Sequence, residues 1–337
     1  MAAKRHKAED YSFICAYMAS RDKYLLTSDK IDKMLDSKTA DDAARILLEM
    51  NYLDESENVS ASDFETILSR ELKKTYSLIL PFVPEQGYFE LFLYPNDYHN
   101  MKTLLKAEFL GIKADEFLID AGTIPSDTLE DMLRGRAFEK MRPEMAKGIQ
   151  EALEEYNVSH DPQTIDFILD KACYKDMNDL VSGLDSDFIK RYLALKIDII
   201  NLVTFIRIRE MGKPVSLFLK VFIENGNIPA DVFEGGFEEE TEQFAERLES
   251  YGLQAVLSES AQMIRESGRV TMLEKLCDNY LMSYIAEAKY ICYGLEPLIA
   301  NVAAKENEIK TVRIILAGKL AGISTEQIRE RVRETYA

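Results

Sequence analysis

The chain has 337 residues and a formal charge of −18, from 59 acidic and 41 basic side chains. No basic patch with interleaved aromatic residues offsets this charge, which makes nucleic acid and anionic lipid poor partners. No run of about 18 apolar residues could span a bilayer, and the basic start "MAAKRHK" lacks the apolar stretch of a signal peptide. We therefore expect a soluble protein made in the cytosol.

Helical spacing dominates the apolar pattern. Only 15 glycines and 9 prolines interrupt runs rich in Leu, Ala, Glu, Lys, Met and Ile, which predicts an all-α fold. The segment "YFELFLY" from Tyr88 is the one strand candidate, and it is equally compatible with the entry to a helix. The four cysteines are Cys15, Cys173, Cys277 and Cys292, and no two of them form a CxxC pair. We expect them to be reduced and to be buried as small hydrophobic side chains.

The amino-terminal part offers one apparent motif, "ADDAAR". It lacks the second acid of an aspartate-rich diphosphate site. Asp41 and Asp42 are better interpreted as acids in the first turn of a helix, where they interact favourably with the helix dipole.

The central part carries one pattern twice, in "DYHNMKTLLKAEFLG" from Asp97 and "DIINLVTFIRIREMG" from Asp198. Each has Asp, Asn three residues on, Thr three further, a base three further again and Gly fourteen residues after the Asp. At about 100° per residue this stripe winds around a helix, so Asp97 and Lys106 cannot converge on one ligand. We interpret Asp97 with Asn100, and Asp198 with Asn201, as buried structural pairs that need partners.

The segments that follow also match. "DAGTIPSD" after the first copy corresponds to "ENGNIPAD" after the second. These segments are interpreted as helix stop, turn and helix start: Gly122 and Gly226 are expected to end a helix in the left-handed conformation, and Pro125 and Pro229 to open the next helices at their first turns. Gly111 and Gly212, each fourteen residues after its acid, are expected near the ends of the two long helices.

A third copy is expected near the carboxyl terminus. "LEKLCDNYL" resembles "LDKACYKDM" upstream of the second copy, and "EIKTVRIILAGKLAG" places Glu308, Thr311 and Gly322 where Asp198, Asn201 and Gly212 stand. The third copy lacks the Thr and the base. We expect the three helices to begin near their acids, within helical-bundle lobes at residues 1–134, 135–236 and 237–337. A repeat of this length is much longer than the roughly 33 to 34 residues of tetratricopeptide or ankyrin units.

The sequence gives no support for a catalytic, cofactor or metal site. The three histidines, His6, His99 and His160, are scattered, and Asp161 with Pro162 fits a helix cap and first turn. In "AGKLAG", Leu320 stands where a phosphate loop needs Ser or Thr. The acidic run "EGGFEEETE" is typical of a solvated loop or a helix start. Ser-His-Asp or Cys-His catalysis stays open, although nothing marks a nucleophile.

Together with "EPLIANVAAKENEIKTVRIILAGKLAGISTEQIRERV", the repeats resemble the C subunit of V-type and A-type rotary ATPases, the family that includes the eukaryotic d subunit. The resemblance runs from about Tyr11 to Val332, and its most specific parts are "DYHNMKTLLKA", "IDIINLVTFIR" and "KENEIKTVRIIL". It implies a funnel of three helical lobes about a pseudo-threefold axis. Its wide base would sit on the membrane proteolipid ring, and its mouth would receive the central shaft.

The resemblance also implies a central-stalk rotor subunit on the cytoplasmic side of the membrane, without catalysis or cofactor. It would couple the shaft of an ATPase or ATP synthase to H⁺ or Na⁺ transport. The sequence leaves open the coupling ion, the direction of operation, the oligomeric state in isolation and the residues that contact each partner. Two other interpretations remain, an all-α scaffold or adaptor unrelated to ATPases and an all-α metal-dependent hydrolase.

Overall fold

A computed structural model describes residues 8–53, 60–84, 86–119 and 121–336 of the chain. Within these ranges all regular structure is helical and no strand occurs, which confirms the all-α class. The segment "YFELFLY" lies in a helix. The basic start with His6 lies outside the described residues.

The described residues form sixteen α-helices joined by turns and short 3₁₀ helices. In chain order they are α1 (Ser12–Ala19), α2 (Ser28–Asp36), α3 (Ala40–Glu49), α4 (Phe64–Ile79), α5 (Gly87–Leu110), α6 (Ser126–Arg134), α7 (Pro143–Ser159), α8 (Gln163–Ser182), α9 (Asp187–Glu210), α10 (Val215–Val221), α11 (Ala230–Gly235), α12 (Thr241–Arg247), α13 (Gln254–Ser267), α14 (Thr271–Ala286), α15 (Glu296–Leu320) and α16 (Thr325–Arg329). The 3₁₀ helices are Ala8–Tyr11, Asp22–Tyr24, Ala61–Asp63, Leu80–Phe82, Asp115–Phe117, Phe138–Lys140, Glu249–Tyr251 and Glu287–Tyr290.

The chain divides into two compact units. The terminal unit combines the described residues up to Gln86 with those from Val256 onward, and the central unit is Gly87–Ala255. In the terminal unit α15 packs against α4, α3, α14 and α1. In the central unit α7 and α8 form a helical hairpin, and α8 also packs against α5 and α9.

Each unit has its own apolar core. In the terminal unit, buried side chains from α2, α3, α4, α15 and α16 form one cluster, including Met34, Leu47, Leu68, Val312 and Ile315. In the central unit, aromatic rings from α9 to α12 pack around Phe205, whose ring centroid lies 4.5 Å from that of Phe244 and 5.2 Å from that of Phe218. Tertiary burial therefore stabilises the short helices α10, α11 and α12, which would be marginal alone.

Local capping explains several helix starts. Thr39 accepts a hydrogen bond from the backbone N–H of Asp42 at 3.0 Å, and both Asp41 and Asp42 lie in the first turn of α3, as predicted. The carboxylate of Asp161 accepts from the N–H of Gln163 at 2.9 Å. Pro162 has helical φ and ψ of −66° and −16° and directly precedes α8, which begins at Gln163.

Pro125 and Pro229 also stand just before their helices rather than in the first turns. Their backbones are extended, with ψ of 139° and 157°. The carbonyl of Pro125 accepts the N–H of Leu129 at 3.0 Å, which is the role of an N-cap residue. The backbone N–H of the residue before each proline donates to a buried carboxylate of the preceding long helix.

The three long helices α5, α9 and α15 have 24, 24 and 25 residues. The expectation that they begin near the repeated acids is wrong: they begin at Gly87, Asp187 and Glu296, ten to twelve residues upstream. Buried apolar residues continue upstream of each acid, so the helices continue as well.

The same structure ends all three long helices. Gly111, Gly212 and Gly322 have φ of 66°, 62° and 68°, in the left-handed region. The N–H of the next residue donates to the carbonyl five residues before it, at 3.1, 3.0 and 2.9 Å respectively. Glycine suits this position because a Cβ disfavours the left-handed conformation.

Candidate functional site

The polar residues of the first repeat lie inside the central unit and bind the segment that follows α5. Asp97 is fully buried. Its carboxylate accepts hydrogen bonds from the hydroxyl of Thr123 and from the backbone N–H of Ile124, the latter at 3.1 Å. Ile124 directly precedes Pro125, so Asp97 fixes the residue that leads into α6.

The second repeat has the same arrangement. Asp198 is 1% exposed and accepts from the N–H of Ile228 at 2.9 Å and from the side-chain amide of Asn227 at 2.7 Å. Ile228 directly precedes Pro229 and α11. Burial raises the pKa of Asp198, and the hydrogen bonds from Ile228 and Asn227 partly oppose that rise.

The paired asparagines bind the same segments at a second point. The amide of Asn100 donates to the carbonyl of Ile119 at 2.8 Å and accepts from its N–H at 2.7 Å. Asn201 makes the same two bonds with Ile223, at 2.8 and 3.0 Å. An amide satisfies both backbone groups of one residue because it carries a donor and an acceptor side by side.

Two glycines make room for the carboxylates. A Cβ on Gly122 would lie 2.0 Å from Asp97 Oδ1, and one on Gly226 would lie 2.4 Å from Asp198 Oδ1. The expectation that these two glycines end a helix in the left-handed conformation is wrong, because neither has a positive φ and the long helices already end at Leu110 and Glu210. The glycine in "DAGTIPSD" and "ENGNIPAD" is therefore explained by the close approach of a buried acid.

The third repeat uses a different part of the chain. Glu308, 5% exposed, accepts from the N–H of Leu26 at 2.6 Å and from the hydroxyl of Tyr52. Leu26 precedes Thr27, the N-cap of α2. An acid on the long helix again holds the residue that leads into a short helix, but that residue comes from the opposite end of the chain.

Thr311 does not reproduce the asparagine bonds. It is 1% exposed, and its hydroxyl has no hydrogen-bond partner among the described residues. Lys106, the base of the first repeat, does not pair with Asp97, the acid of the same repeat. Its Nζ lies 2.6 Å from Oδ1 of Asp166 in α8. Asp97 and Lys106 thus have different partners, as the winding of the stripe predicts.

An arginine that the sequence did not single out connects the first repeat to α8. Arg142 lies at the start of α7. Its Nη2 lies 3.1 Å from Asp97 Oδ2, and its Nε lies 3.1 Å from Asp176 Oδ2. Its Nη1 donates a hydrogen bond to the Thr123 hydroxyl at 2.9 Å. Its guanidinium carbon lies 3.9 Å from the ring centroid of Tyr94. No sequence signal marks this residue, because it belongs to no part of the repeated pattern.

Burial and charge act against each other around Arg142. Burial lowers its pKa, but the carboxylates of Asp97 and Asp176 outweigh this, so the pKa is raised. Burial raises the pKa of Asp176, while a hydrogen bond from Tyr98 at 2.6 Å and the charge of Arg142 oppose the rise. The cation is therefore a required partner for two buried acids.

A second buried ionic cluster lies in the terminal unit, between α4 and α15. Lys305 Nζ lies 3.3 Å from Glu71 Oε1 and 2.5 Å from Glu308 Oε1. The side chains of Lys305 and both acids are at most 7% exposed. Burial raises the pKa of Glu71, partly opposed by the charge of Lys305.

Within the part of the chain that the structure describes, the residues considered for chemistry do not come together. No group of three or more His, Cys, Asp or Glu side chains in the described ranges could hold a metal ion. His160 ends α7 in a left-handed conformation, and His99 lies beside the carbonyl of Phe117. The segment "AGKLAG" runs through the end of α15 rather than a loop, and Glu239 of the acidic run pairs with Arg247.

Three cysteines are buried and unpaired, as expected: Cys15, Cys173 and Cys277. The expectation of burial is wrong for Cys292, which is exposed in the turn before α15. None of the helices that the structure describes has the length and apolar character needed to cross a membrane.

Asp198→Ala is expected to lower the free energy of unfolding by about 1 to 3 kcal/mol, because it leaves the N–H of Ile228 and the amide of Asn227 buried without an acceptor. Denaturant unfolding followed by circular dichroism measures the change. Glu210→Ala, at the exposed end of the same helix, is the control and should change stability by no more than about 0.5 kcal/mol. Equal stability of the two variants would contradict the structural role of Asp198.

Gly226→Ala is expected to destabilise the protein by about 1 to 3 kcal/mol, because the new Cβ would displace the Asp198 carboxylate from its partners. Gly87→Ala is a matched control, since a Cβ at Gly87 meets nothing within 4 Å. Thermal unfolding compares the two. A melting temperature for Gly226→Ala equal to that of Gly87→Ala would show that the carboxylate has room to move.

The fold defines an all-α protein whose repeated long helices hold neighbouring segments through buried polar side chains. Residues 14–331 match the family described as ATP synthase (C/AC39) subunit, and the chain belongs to that family. This confirms the resemblance found in the repeats.

The chain is similar to curated relatives over nearly its whole length. The chain is 26% identical to the C subunit of a V-type sodium ATPase from Enterococcus hirae over 328 residues, covering 97% of this chain and 99% of that one. It is 23% identical to the C subunit of an A-type ATP synthase from Methanocaldococcus jannaschii, covering 95% and 85%. A third relative, the A-type C subunit from Thermococcus kodakarensis, is 24% identical, covering 97% and 92%. The family and these relatives indicate the C subunit of a V-type or A-type ATP synthase.

Proposed function

We propose that the chain is a central-stalk rotor subunit, which couples the rotating shaft of the catalytic head to the membrane proteolipid ring for transport of H⁺ or Na⁺. The family match over residues 14–331 is the observation that carries this proposal. ATP hydrolysis in the head would turn the shaft, the shaft would turn this subunit, and the ring would carry the ion. An ATP synthase would run the same steps in reverse.

The proposed architecture is a funnel of three lobes, at residues 1–134, 135–236 and 237–337, around a pseudo-threefold axis. Three observations support the repeat: the long helices of similar length, the identical glycine ends, and an acid in each that holds the entry to a short helix. A pseudo-symmetric part suits a seat on a ring, because its axis can coincide with the axis of rotation.

A part that transmits torque should be stiff. The acid and asparagine of each of the first two repeats fix one segment at two points, which restrains it more than apolar packing alone. The buried ionic clusters at Arg142 and Lys305 add further fixed geometry inside each unit. We assign these residues, including the repeated glycines, to structure rather than to ligand binding.

The partner contacts would lie on exposed surface. Leu110, Met211 and Leu320 are 68%, 65% and 50% exposed, and each stands one or two residues before the glycine that ends its long helix. Exposed apolar side chains near the corresponding ends of the three long helices fit contact with another protein. The shaft contact would be a polar socket in which acidic side chains favour a basic tip.

A pull-down from membrane extract, with the full chain as bait, tests the proposal. Recovery of proteolipid and shaft subunits together is expected, with an acidic helical protein of another family as the control bait. Recovery of neither, from an extract that contains an intact ATPase, would refute the proposed function.

The isolated chain is expected to hydrolyse no ATP, because its polar clusters serve the fold and no nucleotide loop is evident in the sequence. A phosphate-release assay on the purified protein measures this, with the complete complex as the positive control. Hydrolysis that a single substitution in this chain abolishes would contradict the non-catalytic assignment.

A further inference from the structure

The segment that follows α16, residues 332–336, binds α14 and α15 through its backbone, and we call it the strap. It contains no helix. Both backbone groups of Glu334 are bound by asparagine side chains. Its N–H donates to Asn279 Oδ1 of α14 at 2.9 Å, and its carbonyl accepts from the amide of Asn307 of α15 at 2.9 Å.

Side-chain contacts hold the strap on either side of Glu334. Arg333 is 6% exposed, and its Nε lies 2.9 Å from Asp278 Oδ2 of α14. Lys289 donates to the carbonyl of Tyr336, and its ammonium lies 4.4 Å from the centroid of the Tyr336 ring. The strap is therefore attached along its length.

Glu334 is bound in the way that Ile119 and Ile223 are bound in the first two repeats. Those two residues also have both backbone groups bound by an amide side chain. Ile119, Ile223 and Glu334 lie 22, 25 and 26 residues after the acid of their repeat. Thr311 stands at the asparagine position of the third repeat and does not make these bonds, so the asparagines of α14 and α15 make them together.

The acid of the third repeat holds a different segment from the strap. In the first two repeats the acid holds the residue that leads into α6 or α11, whereas Glu308 holds Leu26, which leads into α2. The two segments are neighbours. A cavity of about 10 Å³ beside Glu308 is lined by Leu25 and Leu26 of one segment and by Thr335 and Tyr336 of the other.

We propose that the strap is a latch that closes the third repeat. In the first two repeats one continuous segment contacts the asparagine and then, five residues later, the acid, so each contact restrains the other. In the third repeat no short stretch of chain joins the two contacts. The latch therefore opens while the helices stay folded, and its opening loosens Leu26. This goes beyond the proposed function, because it takes place inside the terminal unit whether or not the chain turns with a ring.

Hydrogen exchange of the full chain, followed by mass spectrometry at neutral pH, tests the latch. Asn279→Ala combined with Asn307→Ala removes both partners of the Glu334 backbone. We expect the strap to exchange roughly tenfold faster or more. Exchange at Leu26 and in the first turn of α2 should rise with it, while the central unit keeps wild-type exchange. Asn157→Ala, at an exposed position of α7, is the control and should exchange as the wild type does.

Two results would overturn the proposal. The first is wild-type exchange at Leu26 and α2 in a variant whose strap exchanges faster, because the strap would then close nothing. The second is equal exchange of the strap in the double variant and the wild type. If the double variant does not fold, wild-type exchange in low concentrations of urea decides the matter. The strap, Leu26 and the start of α2 should open together at concentrations that leave the central unit protected, and opening of the strap alone would contradict the latch.

Discussion

Arg142→Met is expected to lower the free energy of unfolding by about 3 to 5 kcal/mol, because it leaves Asp97 and Asp176 buried without their cation. Methionine replaces much of the volume, so the loss of charge dominates the change. Denaturant unfolding at neutral pH measures it. Arg136→Met is a matched control, since Arg136 and its partner Glu108 are both nearly half exposed, and such pairs contribute about 0 to 1 kcal/mol.

A second substitution separates the charge effect from general damage. Asp176→Asn in the Arg142→Met background removes one of the two stranded acids and should recover part of the lost stability, although Asp176→Asn alone is destabilising. Additive losses in the double variant would show that Arg142 and Asp176 act independently. That result would contradict the ionic cluster as described.

The sequence predicted the features that depend on the spacing of residues within a single helix. The spacing of Asp198, Asn201 and Gly212 identifies a buried polar pair and a left-handed helix end, because both depend on the periodicity of a single element. The all-α class follows in the same way, since long apolar runs at helical spacing are a local signal.

The partners of these polar groups could not be predicted. Spacing shows that Asp97 is buried, but Arg142 reaches it from 45 residues away, through a fold that periodicity does not describe. The third repeat shows the same limit more clearly. Glu308 binds Leu26 and Tyr52, 282 and 256 residues away, so comparison of segments downstream of each repeat could not find them.

The helix starts were wrong for a related reason. The polar pattern begins at the acid, and the prediction took that point as the start of the helix. The residues upstream are mostly apolar or aromatic, as in "YFELFLY", and short apolar runs do not separate a helix from a strand by periodicity alone. In the structure "YFELFLY" lies in α5, which packs against α8.

Lys305→Met is the corresponding prediction for the terminal unit, with an expected loss of about 3 to 5 kcal/mol at neutral pH. Lys305 is the ammonium closest to both Glu71 and Glu308, whose side chains are each 5% exposed. Without it, two carboxylates face each other in the core, and Glu308 also has to keep its bonds to Leu26 and Tyr52. Lys310→Met, on the same helix but with its side chain 45% exposed, is the control and should change stability little.

The pH dependence of Lys305→Met distinguishes a stranded charge from a packing defect. Burial already raises the pKa of Glu71, and Lys305 opposes that rise, so the variant should raise this pKa further. A carboxyl whose pKa is higher in the folded than in the unfolded state favours folding once it is protonated. The difference in unfolding free energy between wild type and variant should therefore shrink as the pH falls from 7 through the raised pKa of Glu71. A loss that stays constant across that range would mean that lost packing, and not the uncompensated carboxylates, destabilises the variant.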